Sequence, residues 1–158
     1  MPKVWRIATE GRSYPANDMS GIGAAKDGGR WNSPGQPMVY SASTLALACL
    51  ETLVHINNSL PLNRYVVEID IPDVVWRRRG VFNPQAHVGW DAEPAGFTSI
   101  SYGDHWAASA ASAVLQVPSV IVPEENNYLI NPGHPDASQI TATKKRRWLY
   151  SPRLPLNT

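Results

Sequence analysis

Glu51 is the one charged side chain between Arg30 and Arg64, and it sits inside the apolar run Leu45-Ala46-Leu47-Ala48-Cys49-Leu50-Glu51-Thr52-Leu53-Val54. Burying a lone carboxylate costs on the order of several kcal/mol, so this one must neutralise, find a cation or face a cleft. The nearest upstream cation, Arg30, belongs to the pentapeptide Gly28-Gly29-Arg30-Trp31-Asn32. Its two glycines allow a tight turn and a close backbone approach to a ligand. The planar Arg30 fork suits phosphate or carboxylate, and Trp31 offers a stacking face. With Tyr40 on the strand before the Glu51 helix, an Arg30–Tyr40–Glu51 cluster results. Such a cluster suits a substrate with a phosphate, an aromatic ring and a developing positive charge. Each member also has a plainer reading, since a Gly-Gly-Arg turn with a core Trp is commonplace and a structural ion pair is the commoner use of a buried Glu.

Other chemistries find little support. His55, His87, His105 and His134 are scattered without a His-x-x-x-His pair, and Cys49 stands alone, so no metal site is expected. A Gly-x-Ser-x-Gly elbow is missing, as are the phosphate-binding Gly-x-x-x-x-Gly-Lys-Ser/Thr loop and the dinucleotide Gly-x-Gly-x-x-Gly turn. Cys49 in an apolar helix reads as inert packing. His55, one turn beyond Glu51 on the same helix face, reads as a structural hydrogen-bond partner for it. The run Lys144-Lys145-Arg146-Arg147 reads as a solvated basic edge, with partner binding as the minority reading.

These residues need elements to position them. Val4 to Ala8 reads as a first strand, and residues 9–37, rich in Gly, Ser, Pro and Asn, as a long loop of the kind that is usually functional or disordered. Met38 to Ser41 is a short strand, and Ser43 or Thr44 can cap the helix that carries Glu51 and ends near Asn57-Asn58. From Asn63 to Ile71, Tyr65, Val67, Ile69 and Ile71 alternate with Arg64, Glu68 and Asp70, which predicts a half-buried strand closed by Pro72. Gly103-Asp104 is expected to precede a second helix from Trp106 to Leu115. Val117 to Val122 suits a buried strand bounded by Pro118 and Pro123. Tyr128 to Ile130 reads as another strand, and Trp148 to Tyr150 as an edge strand. The expected fold is α/β in the α+β sense: a mixed, largely antiparallel sheet with flanking helices.

Length fits one domain over residues 1–158. A net charge of +1 gives no reason to expect direct nucleic-acid binding. A single cysteine fits a reducing compartment, the N-terminus lacks the apolar core of a signal peptide, and no stretch reaches the length of a membrane span. The expectation is a soluble, cytoplasmic protein.

Several segments, in order, resemble the RES domain, the toxin half of a bacterial toxin–antitoxin system. They are Trp5-Arg6, Gly29-Arg30-Trp31-Asn32, Val39-Tyr40-Ser41, the helix ending Cys49-Leu50-Glu51, and Gly103-Asp104-His105-Trp106. Val117-Pro118-Ser119-Val120-Ile121-Val122-Pro123, then Glu125-Asn126-Asn127-Tyr128-Leu129-Ile130-Asn131-Pro132, and Ser151-Pro152-Arg153-Leu154 complete the set. The likeness spans nearly the whole chain, with Ser151 where an acidic residue is expected. It implies an ADP-ribosyltransferase-like fold and an enzyme that consumes NAD+ as substrate, with no cofactor. It further implies that Arg6 and Arg30 hold the pyrophosphate, Tyr40 stacks on or orients the nicotinamide side, and Glu51 stabilises the oxocarbenium-like ribose as nicotinamide leaves. Ser119 would hydrogen-bond substrate or position Glu51, and Trp31 and Asn126 join the substrate-binding set. The implied partner is a helix-turn-helix antitoxin, with a homodimer inside the complex as one assembly this allows. Cleavage with water or phosphate as acceptor is the leading expectation, and transfer of ADP-ribose to a protein the alternative. A non-enzymatic module binding through residues 9–37 and the basic run is the third.

Overall fold

The computed structural model describes residues 1–56 and 61–154. Among them a seven-stranded mixed sheet forms from β1 (Lys3–Thr9), β2 (Val39–Ala42), β3 (Arg64–Asp70), β4 (Gly80–Val81), β5 (Val114–Pro118), β6 (Asn126–Ile130) and β7 (Thr141–Arg147). The order across the sheet is β4-β5-β6-β2-β1-β3-β7. Only β4 and β5 run parallel; the other neighbours are antiparallel. The expected α+β fold, with a mixed and largely antiparallel sheet, is what the chain adopts.

Alternation divides the buried residues between two faces. Val4, Ala8, Val39, Val67, Ile69, Tyr128 and Ile130 form the core on one face, where Ala16 and Val75 also pack. The other face carries two clusters. Ile7 and Ala42 pack under Leu47 and Ala48 of the helix α2 (Leu45–Leu53). Leu115, Val117 and Leu129 pack with Trp31, Phe82, Trp90 and Trp106. The remaining helices are α1 (Ile22–Asp27), α3 (Asp73–Arg77) and α4 (Phe97–Ser109).

One seam in this sheet is nearly open. β1 and β3 pair along all of Lys3–Thr9, whereas β1 and β2 are in register at Trp5 and Ala42 alone.

Several elements depart from the sequence expectation. Residues 9–37 are mostly irregular but include α1. The Glu51 helix, capped by the Thr44 hydroxyl accepting from the Leu47 N–H at 3.1 Å, stops at Leu53; Asn57-Asn58 lie outside the described residues. β3 buries Val67 and Ile69 on one face as expected; on the other, Val66 is buried as well, while Arg64, Glu68 and Asp70 are only partly enclosed. The second helix begins at Phe97 and holds Gly103 in its interior, and Leu115 belongs to β5. That strand ends at Pro118, and Ser119 turns the chain back towards β6. The edge strand is Thr141–Arg147, containing the basic run, and Trp148 to Tyr150 leave it to pack beside α2.

Candidate active site

Glu51 continues the buried stripe of α2. Leu47 and Ala48 face the sheet, and Glu51 lies four and three residues further on, one turn along the same face. Its Oε1 accepts two hydrogen bonds, from the Ser119 hydroxyl at 2.6 Å and from Asn127 Nδ2 at 2.9 Å. Among the described residues no Lys or Arg forms an ion pair with it, and no side chain donates to its Oε2. The burial problem is met by neutral donors.

Ser119 is fully enclosed and fully used. Its hydroxyl donates to Glu51 and accepts from the backbone N–H groups of Ile121 and Val122, each at 3.1 Å. It therefore closes the β5–β6 turn and holds the carboxylate at once, which fits the positioning alternative given for it.

Arg30 and Trp31 occupy the tip of a two-residue turn closed by Gly29 and Asn32, whose N–H and carbonyl groups pair at 3.0 Å. Tyr40 supports this turn from β2: its hydroxyl donates to Asn32 Oδ1 at 2.5 Å and accepts from the Trp31 N–H at 3.0 Å. Burial pushes the Tyr40 phenol well above its usual range, against the opposing effect of that Trp31 N–H. Asn32 is buried and donates to the carbonyls of Ala24, Ser33 and Gln36. Asp104 of α4 accepts from the N–H and hydroxyl of Ser33. A Cβ on Gly103 would lie 1.7 Å from the Trp31 carbonyl oxygen, so only glycine lets α4 lie against the turn here.

The turn aims the Arg30 guanidinium at the loop after Phe82. Nη1 donates to the carbonyls of Trp90 at 3.1 Å and Ala92 at 2.9 Å, and Nη2 pairs with the largely exposed Glu93 carboxylate. Burial lowers the tendency of Arg30 to hold its proton, and the charges of Glu51 and Asp91 oppose that. Arg30 and Glu51 therefore sense one another without touching. A phosphate approaching Arg30 would meet the exposed Glu93 carboxylate, a pairing that solvent screens.

The other expected site residues sit elsewhere. Trp31 is 3% exposed, with its ring 4.8 Å edge-on from Phe82 and stacked 6.3 Å from Trp90. Its stacking surface is spent on the core, not offered to a ligand. Arg6 alternates onto the face of Val4 and Ala8, away from α2, and its Nη1 donates to the Tyr40 carbonyl at 3.3 Å across the open β1–β2 seam. Asn126 falls on the same far face as Tyr128, and the next residue, Asn127, reaches Glu51. His55 lies past the end of α2 and is exposed. Among the described residues no three His, Cys, Asp or Glu side chains form a group that could hold a metal ion, and no helix is long and apolar enough to cross a membrane.

The sequence that builds this sheet and site is similar to those of known proteins. Residues 3–152 match the RES domain. The chain belongs to the RES domain family. It is 60% identical over 152 residues to a protein of a Sphingobium species named Prs ADP-ribosylating toxin, covering 95% of this chain and 94% of that one. It is 38% identical over 146 residues to Toxin Res of Yersinia enterocolitica, covering 90% and 94%. With Toxin Res of Pseudomonas putida the identity is 34% over 137 residues, covering 85% and 87%.

Proposed function

We propose that this chain is a toxin that cleaves the nicotinamide–ribose bond of NAD+ and transfers the ADP-ribose to a protein side chain. The observation that carries the first half is the state of Glu51: one oxygen is fixed by two neutral donors and the other has no side-chain donor among the described residues. In this reading the C1′–N bond breaks, its electron pair leaves with neutral nicotinamide, and the ribose becomes an oxocarbenium-like cation. The second Glu51 oxygen stabilises that cation, an electrostatic task that needs preorganisation rather than a strong nucleophile. The acceptor then bonds to C1′ through its lone pair and releases its proton to solvent. Arg30 supplies positive charge for the diphosphate once Glu93 gives way. Tyr40 acts by holding the Arg30 turn.

The name of the Sphingobium relative, at 60% identity over 95% of this chain, moves protein transfer ahead of water or phosphate as acceptor. Its named target, Prs, is the first acceptor to try. A toxin also requires an inhibitor in the cell that makes it, and a protein antitoxin covering this site is the simplest one.

The test is incubation of purified protein with NAD+ labelled in its adenylate half, together with Prs or cell extract. Nicotinamide release and label on a protein band are expected, both lost in Glu51→Ala. Release with all label in free ADP-ribose would overturn transfer, and release no greater than in Glu51→Ala would overturn the enzyme reading.

A further inference from the structure

We propose that Asn127 is a positioning residue for the reacting carboxylate: its amide, together with the Ser119 hydroxyl, fixes Glu51 through Oε1 so that Oε2 faces the ribose. This rests on the reading of Glu51 given above. A carboxylate held by one donor can pivot about its terminal bond. Two donors converging on the same oxygen from different elements stop that rotation. Here they come from Ser119, one residue past β5, and from Asn127 within β6.

The platform is rigid for a reason visible in the ladder. β6 is flanked on both sides, so Asn127 faces Ala42 of β2 and Val117 of β5, and its backbone cannot drift without breaking the sheet. Ala42, small and buried, clears the path from Asn127 to the helix above. Asn127 also carries a feature that packing does not explain. Its Oδ1 is buried without a protein partner among the described residues. An apolar residue would avoid that unpaired carbonyl, and an unsatisfied buried group calls for a functional explanation. The explanation is the donor on its other branch.

The experiment measures nicotinamide release from NAD+ by Asn127→Leu, Asn127→Asp and Glu51→Ala beside the wild-type chain. Asn127→Leu removes the donor at similar volume. Its kcat is expected to fall about 10- to 100-fold, the scale of a small misplacement of a reacting group, with KM nearly unchanged because Asn127 does not touch substrate. Asn127→Asp places a second carboxylate against Glu51, so the pair shares a proton at low pH. While protonated, the new Asp can still donate to Glu51; once ionised it only repels it, so its deficit should grow as pH rises. Arg30, the nearby cation, and the neutral Tyr40 are present in every variant. A purely structural loss would reduce activity alike at every pH. Wild-type kcat in Asn127→Leu, or a pH-independent deficit in Asn127→Asp, overturns the role of Asn127. Wild-type activity in Glu51→Ala instead overturns the reading of Glu51 on which it rests.

Discussion

Tyr40 uses its hydroxyl twice, as donor to Asn32 and as acceptor from the Trp31 N–H, so its one proton is already committed within the protein. Its upward-shifted phenol stays protonated throughout the neutral range. Because the folded form resists ionisation, its contribution to stability is intact below the ordinary tyrosine range near pH 10 and is lost as pH rises beyond it. Tyr40→Phe removes both bonds and leaves two buried partners unpaired, at a cost of about 1–3 kcal/mol. Denaturant unfolding should show that loss, and nicotinamide release should fall because the Arg30 turn loosens. Unchanged stability with abolished activity would mean that the hydroxyl acts on substrate directly. At this scale the sequence signalled Glu51 well, because a charge in an apolar run must be accounted for. It did not separate Asn126 from Asn127, since strand phase fixes which of two adjacent residues faces the helix and the register is set by partners far along the chain. Trp31 was ambiguous for a similar reason: a turn can point its second residue inward or outward, and here Phe82 and Trp90 draw it in.

Elements show where local signals mislead. Gly103-Asp104 reads as a helix start because glycine disfavours helix interiors, by about 1 kcal/mol relative to alanine. The structure keeps Gly103 in mid-helix because the Trp31 carbonyl lies where a side chain would be. That contact, with Asp104 holding Ser33, locks α4 to the Arg30 turn. Gly103→Ala should raise helix propensity yet destabilise the protein, by about 1–3 kcal/mol or more as in other overpacked sites. The expected readout is a lower melting temperature with a parallel loss of nicotinamide release; a stabilised, fully active variant would contradict the contact. The strands were easier to read. β3 shows its alternation openly, whereas β7 was displaced towards Trp148-Leu149-Tyr150 because four consecutive cations resemble a solvated loop. An edge strand tolerates those charges, since they discourage pairing with another chain.

Across the whole molecule, the basic run and the Glu51 site are separated by the sheet itself. β7 lies three strands from β2, about 14 Å at the usual spacing between strands. That exceeds the screening length of about 8 Å at physiological salt. Two of the four cations are also committed locally: Lys144 pairs with Glu10 at 2.9 Å, and Arg147 donates twice to the Leu62 carbonyl. Lys145 and Arg146 make no ion pair among the described residues, and Arg146 lies 5.2 Å from the centre of the Trp148 ring. Replacing both with serine removes these two charges and, at Arg146, the contact with Trp148, so the melting temperature is measured beside activity. If catalysis belongs to the α2 face, kcat and KM for NAD+ should match the wild type, and any effect should appear only in binding to a protein partner. If instead the chain acts through its basic edge, Lys145→Ser with Arg146→Ser should abolish toxicity while Glu51→Ala leaves it intact. The two variants, scored for growth arrest and nicotinamide release, separate an enzyme from a binding module, because one hypothesis assigns toxicity to the middle of the sheet under α2 and the other to its β7 edge.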